Sequence, residues 1–330
     1  MLVDGWIDVH AHFAPPRPSN VDDETVVELM RAACWCVDEA PEWNAETTLA
    51  YMDRTGIQMQ MLSNIPKDLE QLRQSNDFGA SLVVEHPDRF GLLAGLPTDD
   101  PGAALAEIGR ASGELRADGF AVTCSYNNVG LGDERLEPVW AELGRRRAVV
   151  FAHPDAYRLG EQGRPAALLD VAFETTRTFV DMLYAGVFRR HPDIRFVVAH
   201  CGAALPALSG RLQLLGLEGW VPNPQKITPS ELRTHLRRLH LDTAATSPTA
   251  LAAALSMTAP EQLVYGSDCG VACTTDATMD TNLEALLSYP HLTAGQLTGV
   301  GRRGFELFPD AAARAADTNR RPQAGEPVGR

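Results

Sequence analysis

The chain has 330 residues, of which 45% are hydrophobic and 22% are charged, and its formal net charge is −14. This length and composition predict a soluble globular protein with a sizeable core. The negative charge argues against nucleic-acid binding, because a phosphate backbone would be repelled. No stretch approaches the roughly 18 consecutive apolar residues of a membrane span, and no secretory signal is recognisable, so we expect a cytoplasmic protein without membrane contact.

Short apolar runs alternate with helical patterns along most of the chain. The predicted strands are residues 6–10, 57–62, 90–96, 119–124, 148–153, 194–200, 239–244 and 262–268. The predicted helices include residues 46–55, 68–85, 101–116, 168–190, 204–215, 247–257 and 279–288. Strands that alternate with helices in this way predict an α/β protein whose parallel sheet is covered by helices.

The number of strands favours a closed barrel. Eight strand–helix alternations in a chain of this length predict a (β/α)8 TIM barrel, with insertions after strand 1 (residues 13–45) and strand 6 (residues 216–238). An open doubly wound sheet usually has a glycine-rich turn after its first strand. The chain instead has "HFAPPRP" there. We therefore expect one barrel domain over residues 1–311 and a disordered tail over residues 312–330.

Histidine and aspartate side chains recur where the predicted strands end. His10 and His12 end the first strand, His153 the fifth, His200 the sixth and Asp268 the eighth. Alternate residues of a strand point to the same side, so His10 and His12 can reach one ion. With His153 and Asp268 they would leave a coordination position open, which is typical of a catalytic metal site.

The remaining histidines have less informative surroundings. His86 and His191 stand before prolines, His235 lies in an arginine-rich helical stretch, and His291 follows a loop proline. For these four we expect ordinary structural roles. His240, at the start of the seventh predicted strand, stays undecided.

Several motifs together resemble the amidohydrolase superfamily. They are "IDVHAHFAPP", "VVFAHP", "IRFVVAHCGAALPALSGR" and "LVYGSD". The closest resemblance is to the amidohydrolase-2 group, which includes aminocarboxymuconate-semialdehyde, γ-resorcylate and 6-methylsalicylate decarboxylases. It covers residues 5 to about 309.

The resemblance implies a mononuclear metal enzyme. Its ion would be one divalent metal, Zn²⁺ or Mn²⁺, bound by His10, His12, His153 and Asp268. His200 would lie near the metal and handle protons. The two-metal members need a carboxylated lysine, typically on strand 4, and "GFAVTC" contains no lysine. Family members are commonly dimers, which implies a homodimer.

The sequence departs from the family in places that concern the substrate. Strand 8 is followed by "CGVAC" where the family has aromatic residues and proline. The arginines that hold a second carboxylate in aminocarboxymuconate-semialdehyde decarboxylase are missing, so a phenolic acid is the better expectation. Arg17 is a candidate clamp for the substrate carboxylate. Trp43, with Trp35 and Trp220, is a candidate wall of an aromatic pocket.

We expect a metal-dependent, non-oxidative decarboxylase that acts on a small aromatic acid. Asp268 or His200 would protonate the ring carbon, and the sequence does not decide between them. The alternative is a hydrolase that uses a metal-activated water on an amide, a lactone or a β-keto C–C bond. A non-catalytic barrel that kept its metal for stability or ligand binding is a third possibility.

Overall fold

The computed structural model describes residues 2–245 and 247–318. The strands are β1 Trp6–His12, β2 Ile57–Ser63, β3 Phe90–Gly95, β4 Gly119–Thr123, β5 Ser125–Tyr126, β6 Val129–Gly130, β7 Val149–His153, β8 Arg195–Val198 and β9 His240–Leu241. Seven of them form one parallel sheet in the order β1-β2-β3-β4-β7-β8-β9, and β5 and β6 form a small antiparallel pair.

Helices follow the strands as the alternation predicts. They are α1 Asp23–Ala32, α2 Ala45–Thr55, α3 Leu69–Glu85, α4 Pro101–Gly113, α5 Glu137–Arg145, α6 Asp170–Tyr184, α7 Val187–Arg190, α8 Leu205–Leu215, α9 Pro229–Arg237, α10 Pro248–Met257, α11 Asp276–Leu287, α12 Ala294–Arg302, α13 Gly304–Leu307 and α14 Pro309–Thr318. The expected insertions after the first and sixth barrel strands contain α1 and α9. Among the described residues, no helix has the length and apolar character needed to cross a bilayer.

The predicted eighth strand is an irregular segment that closes the barrel. Isolated parallel bridges join Leu241 to Leu263 and Ala11 to Cys269. The amide of Val264 donates to the carbonyl of Leu241 over 3.0 Å, and the amide of Asp268 donates to the carbonyl of His10 over 2.9 Å. Residues 263–269 therefore span the gap between β9 and β1. The TIM-barrel prediction is confirmed, although its last strand is not a regular one.

Two apolar layers hold the sheet. Inside the barrel lie side chains such as Ile7, Met61, Phe151 and Val197, while the outer faces of the strands pack against the helices. Strands buried on both faces need continuous apolar runs, and β3 and β4 are buried at every residue. Removing this surface from water is the main favourable contribution to folding.

The end of the described chain closes the bottom of the barrel. Phe308 approaches Gly119, the first residue of β4, and Ala311 and Ala315 of α14 are buried in the inner apolar layer. Arg314 of the same helix donates to Asp118 over 2.9 Å. The expectation of a disordered tail from residue 312 is therefore wrong for residues 312–318, because alanines four residues apart supply a small apolar face. Residues 319–330 lie outside the described residues.

Candidate metal centre

The first barrel strand brings two imidazoles together. His10 and His12 lie on the same side of β1, and their Nε2 atoms are 3.1 Å apart. His10 is completely buried, and His12 is slightly exposed at the mouth of the barrel. The spacing of two residues therefore produces the convergence that the sequence predicts.

The other nitrogen of each ring has a fixed partner. His10 Nδ1 lies 2.6 Å from Asp242 Oδ2, and His12 Nδ1 lies 3.2 Å from the carbonyl oxygen of Ser63. Both partners accept hydrogen bonds, so Nδ1 carries a proton in each ring and Nε2 faces the site. Partners of this kind orient metal-binding histidines and raise their basicity.

Asp268 comes to the same point from the closing segment of the barrel. Its Oδ1 lies 3.0 Å from His10 Nε2 and 3.3 Å from His12 Nε2, and its Oδ2 lies 3.6 Å from His200 Nε2. The backbone of Asp268 is left-handed, with φ of 62°. Such a conformation is costly for a residue other than glycine and is concentrated at functional sites.

Two further histidines complete the cluster. His153 ends β7, and His200 lies beyond β8 in a tight turn, with φ of 57°. One ligand atom from each of His10, His153, His200 and Asp268 lies within 4.8 Å of the others. His153 Nε2 and His200 Nδ1 are buried without a hydrogen-bond partner among the described residues. A buried polar atom without a partner is costly, so these two nitrogens favour a ligand at this point.

The electrostatics of the cluster call for a positive charge. Burial disfavours ionisation of Asp268, but the adjacent His10 imidazole outweighs it and holds the pKa of Asp268 well below its usual range. Burial likewise disfavours the charged form of His10, but Asp242 and Asp268 outweigh it and raise the pKa of His10 to about 10. Burial, with the neighbouring histidines, lowers the pKa of His153.

These residues fit a divalent metal ion. A proton on one ring nitrogen can bridge only two atoms of the cluster, whereas a metal ion can accept lone pairs from all of its ring nitrogens and from the Asp268 carboxylate. Imidazole nitrogens with a carboxylate oxygen are a donor set that suits Zn²⁺ and Mn²⁺. The arrangement therefore supports metal-assisted chemistry at the carboxyl ends of the barrel strands, where such barrels carry their active sites.

Two buried carboxylates that the sequence analysis missed hold this arrangement. Asp242 accepts hydrogen bonds from the amides of Cys201 and Ala244 over 3.1 and 3.0 Å, in addition to its contact with His10. It thereby joins the His10 ring to the turn that carries His200. The only local signal was an aspartate at the end of the seventh predicted strand, "LHLD".

Asp8 supports the cluster from the layer below it. It accepts from the amides of His10 and Ser267 over 3.1 and 3.0 Å, and from the side chain of Gln60 over 3.0 Å. Burial raises the pKa of Asp8 to about 6. This carboxyl group ties β1 to the closing segment, so it fixes the histidines of β1 relative to Asp268.

A large cavity opens above the cluster. Its volume is about 850 Å³, and apolar groups form most of its wall, including Phe13, Ile65 and Val171. His12, His153, His200 and Asp268 lie at its floor. A mostly apolar cavity with a few polar groups is typical of a small-molecule site.

The loop after Asp268 forms one side of this cavity. Gly270 has φ of 93°, and a Cβ at this position would lie 2.2 Å from the carbonyl oxygen of His12. The departure "CGVAC" therefore lets the loop pass directly over β1. It also brings Cys273 to the cavity wall, with its Sγ 4.0 Å from Asp268 Oδ2.

The cavity also contains two cationic side chains that the sequence analysis did not identify. Among the described residues, Lys67 and Arg158 are the lysine and arginine that line it. Lys67 Nζ lies 3.3 Å from Asp155 Oδ2, and Arg158 Nε lies 3.6 Å from Glu174 Oε2, so each cation is paired with a carboxylate. Lys67 follows β2 and Arg158 follows β7, but a lone basic residue in a loop gives no signal that it turns inward.

Arg17 does not reach this cavity. Its guanidinium pairs with Asp23 and, over 2.9 Å, with Glu42 at the surface. The structure therefore gives no support to Arg17 as a carboxylate clamp. Two acidic neighbours on the insertion satisfy it instead.

The tryptophans differ in their distance from the cavity. Trp43 packs behind the wall, with its ring 6.3 Å from Phe13 and 6.4 Å from Phe78. Trp35 stacks on Tyr157, which lines the cavity, at 5.5 Å. Trp220 is 70% exposed and is not a wall residue. Trp43 and Trp35 thus support the lining residues, and neither lines the cavity itself.

The fold and the cluster define a barrel protein with a candidate catalytic metal centre at its mouth. The family model described as amidohydrolase matches residues 7–316. The chain therefore belongs to the amidohydrolase family, as the motifs around its histidines indicate.

Curated relatives of the chain include proteins named as decarboxylases, and solved structures share its fold. It is 32% identical to the decarboxylase macB of Penicillium terrestre over 79% of this chain and 83% of that protein. It is 29% identical to a 6-methylsalicylic acid decarboxylase of Penicillium expansum over 92% of this chain and 96% of that protein. The fold resembles that of a dihydroxybenzoic acid decarboxylase from Polaromonas sp. JS666, crystallised with manganese, with a TM-score of 0.73, 20% identity, and coverage of 93% and 97%.

Proposed function

We propose that the protein is a metal-dependent, non-oxidative decarboxylase of a small aromatic acid. The observation that carries the proposal is the cluster of imidazoles around Asp268 at the floor of a mostly apolar cavity. The relatives named as decarboxylases support the same reaction class.

His10, His12, His153 and Asp268 would hold one divalent ion. Such an ion would supply Lewis-acid chemistry at the substrate carboxylate and a neighbouring hydroxyl group. Asp242 and the Ser63 carbonyl keep the two β1 imidazoles in the tautomer that this role needs. The manganese of the Polaromonas enzyme supports Mn²⁺, and the donor set suits Zn²⁺ equally well.

Asp268 and His200 would move the proton. They face each other at 3.6 Å, so a proton can pass between them and reach the ring carbon that bears the carboxylate. This carbon gains the proton, the bond to the carboxylate breaks, and its electron pair restores the aromatic ring as carbon dioxide leaves. Because the two groups are in contact, the donor is best described as the pair.

The apolar wall would bind the aromatic ring and exclude water. Phe13, Ile65 and Val171 present the apolar surface that a ring needs. Lys67 and Arg158 would bind a polar substituent away from the reacting carboxylate, since both offer charged donors at the cavity wall.

The test is the metal-loaded protein in deuterated water with a panel of ortho-hydroxylated aromatic acids. The expected result is release of carbon dioxide with one solvent deuterium at the vacated ring carbon. His153→Gln should be inactive. Its control is His86→Gln, which changes a partly buried histidine that follows α3 and does not line the cavity. Solvent oxygen in the product, without carbon dioxide, would instead establish a hydrolase.

The metal and the assembly need separate measurements. Elemental analysis should give about one metal ion per chain, and activity after reconstitution with Zn²⁺ or Mn²⁺ decides which metal works. We also propose a homodimer, supported by exposed apolar side chains on neighbouring α6 and α8, among them Phe173, Leu208 and Leu214. Light scattering at micromolar concentration tests it. The cytoplasmic location stays a prediction.

A further inference from the structure

A second cavity lies at the opposite end of the barrel. Its volume is about 200 Å³, and it lies beside Arg195 and His240, the first residues of β8 and β9. The catalytic histidines follow the carboxyl ends of their strands, so the length of a strand separates the two cavities. This second cavity, which we call the basal cavity, is also lined by His191, His235, Arg238 and Gln262.

The arginines of the basal cavity have no carboxylate partner among the described residues. Arg195 donates to the carbonyl of Arg147 over 3.1 Å, and Arg238 donates to the carbonyl of Pro192. Neither takes part in an ion pair with a described residue. Arg195 is partly buried, whereas Arg238 is exposed at the rim of the cavity. A partly buried cation is costly without a counter-charge.

Two of the acidic groups near the basal cavity are already occupied. Glu231 pairs with Arg189 over 2.6 Å, and Glu137 pairs with Arg190 and His191 over 2.8 and 2.9 Å. Arg303, close enough to His240 to influence it, has a buried Nε without a partner among the described residues. The described residues that line the basal cavity thus include two arginines and no acidic residue, in a protein whose net charge is −14.

Unpartnered polar atoms surround the same space. His235 is 8% exposed, and both of its ring nitrogens are buried without a hydrogen-bond partner among the described residues. His240 Nδ1 and Gln262 Oε1 are also buried without a hydrogen-bond partner among the described residues. Each such atom costs free energy unless a ligand or water bonds to it.

These atoms include both donors and acceptors. The arginines donate only, a neutral imidazole donates at one nitrogen and accepts at the other, and the amide oxygen of Gln262 accepts. Burial lowers the pKa of His235 and lowers that of His240 to about 4, so both rings are neutral near pH 7. A ligand that carries negative charge and also an O–H group that can donate would match this lining.

We propose that the basal cavity is a binding site for a protonated phosphate group, with hydrogen phosphate as its simplest ligand. The phosphate oxygens would accept from Arg195, Arg238 and the histidines, and the P–OH group would donate to Gln262 or to an imidazole nitrogen. Sulfate has the same shape and charge but has no proton near pH 7. Discrimination between the two anions is therefore the specific consequence of the mixed donor and acceptor lining.

The test is calorimetric titration of the full-length protein with inorganic phosphate and with sulfate at pH 7 and constant ionic strength. We expect one phosphate site per chain at the basal cavity, with sulfate at least about tenfold weaker. Arg195→Gln and Gln262→Leu should each weaken phosphate binding about tenfold or more. Arg211→Gln, which removes an exposed arginine of α8 outside this cavity, should leave it unchanged.

A local readout separates this site from the metal centre, which could also attract phosphate. The ring nitrogens of His235, followed by nitrogen NMR, should shift on phosphate addition in the wild type and not in Arg195→Gln. Glycerol phosphate in place of phosphate distinguishes a phosphate ester from the free ion, since both carry the group proposed. Absence of a His235 shift in the folded wild type, equal affinity for sulfate, or a response that Arg195→Gln leaves intact would each overturn the proposal.

Discussion

Histidines lie at both ends of the barrel, but the charged groups around them differ in sign. At the carboxyl end, imidazoles face Asp242 and Asp268, and the pKa of His10 is raised to about 10. At the amino end, imidazoles face arginines, and burial together with Arg303 and Arg195 lowers the pKa of His240 to about 4. Both ends have buried ring nitrogens without partners among the described residues. The charge of the neighbours, and not the histidines themselves, decides which end suits a cation and which suits an anion.

The most direct way to break this comparison is to neutralise the carboxylate at the mouth. Asp268→Asn removes the negative charge that His10, His12 and His200 face. We expect turnover to fall by at least about 10³-fold, because both ion binding and proton transfer depend on this group. Steady-state decarboxylation measures the effect.

Asp155→Asn, at the cavity wall, is the matched variant for this experiment. It should retain far more activity than Asp268→Asn, and circular dichroism should show both variants folded. Wild-type turnover in a folded Asp268→Asn would refute the proposed centre.

The second variant changes the partner of an imidazole and leaves the imidazole in place. Asp242→Asn weakens the charge that holds the His10 ring and the turn after β8. Metal affinity should fall about 10- to 100-fold, the usual effect of removing such a partner. Competition with a metal-binding dye measures it directly, without an activity assay. Asp280→Asn, which loses a surface pair with Arg54, is the control and should bind metal as tightly as the wild type.

The stability of the protein in acid tests the surroundings of His240 at the amino end of the barrel. The folded protein disfavours protonation of His240, so the unfolded chain binds this proton more readily and stability falls as the pH drops from about 6.5 towards 4. The lowered pKa of His240 reduces the free energy of unfolding by about 2 kcal/mol over this pH range, once partial exposure is allowed for. His240→Asn should reduce the loss in free energy of unfolding between pH 7 and pH 4.5 by about that amount.

Urea unfolding at pH 7 and at pH 4.5 measures the free energy of unfolding of His240→Asn. His291→Asn, an exposed histidine that contacts Tyr289, should unfold with the acid sensitivity of the wild type. An unchanged pH dependence in His240→Asn would show that His240 is not held neutral by its surroundings.

The smallest effect concerns the cations of the catalytic cavity. Lys67→Met should raise KM about tenfold for a substrate with a polar substituent and leave kcat close to that of the wild type, since binding and not chemistry is affected. Arg158→Met should act in the same direction. Lys226→Met removes the other lysine of the chain, at an exposed position, and is the control. A fall in kcat without a change in KM would assign Lys67 to the chemistry instead.

The sequence predicted the elements that depend on local pattern. Apolar runs and helical periods located the barrel strands, and the spacing of His10 and His12 predicted their convergence, because a strand turns alternate residues to one side. His153, His200 and Asp268 were found because parallel strands end at the same face. The short alanine-rich helix α14 was missed, since small residues give a weak apolar period.

What the sequence could not decide depends on contacts between distant parts of the chain. Asp242 meets His10 across 232 positions, and no local pattern indicates that contact. Local pattern also fails to indicate three other features. They are the inward turn of Lys67 and Arg158, the surface pairing of Arg17, and the arginines of the basal cavity, which have no carboxylate partner among the described residues. The sequence by itself determined the barrel and the strand ends that carry the site, because both follow from periodicity. The tertiary structure alone decided the partners of each charge, because burial and charge pairing are set by the packing of the whole chain.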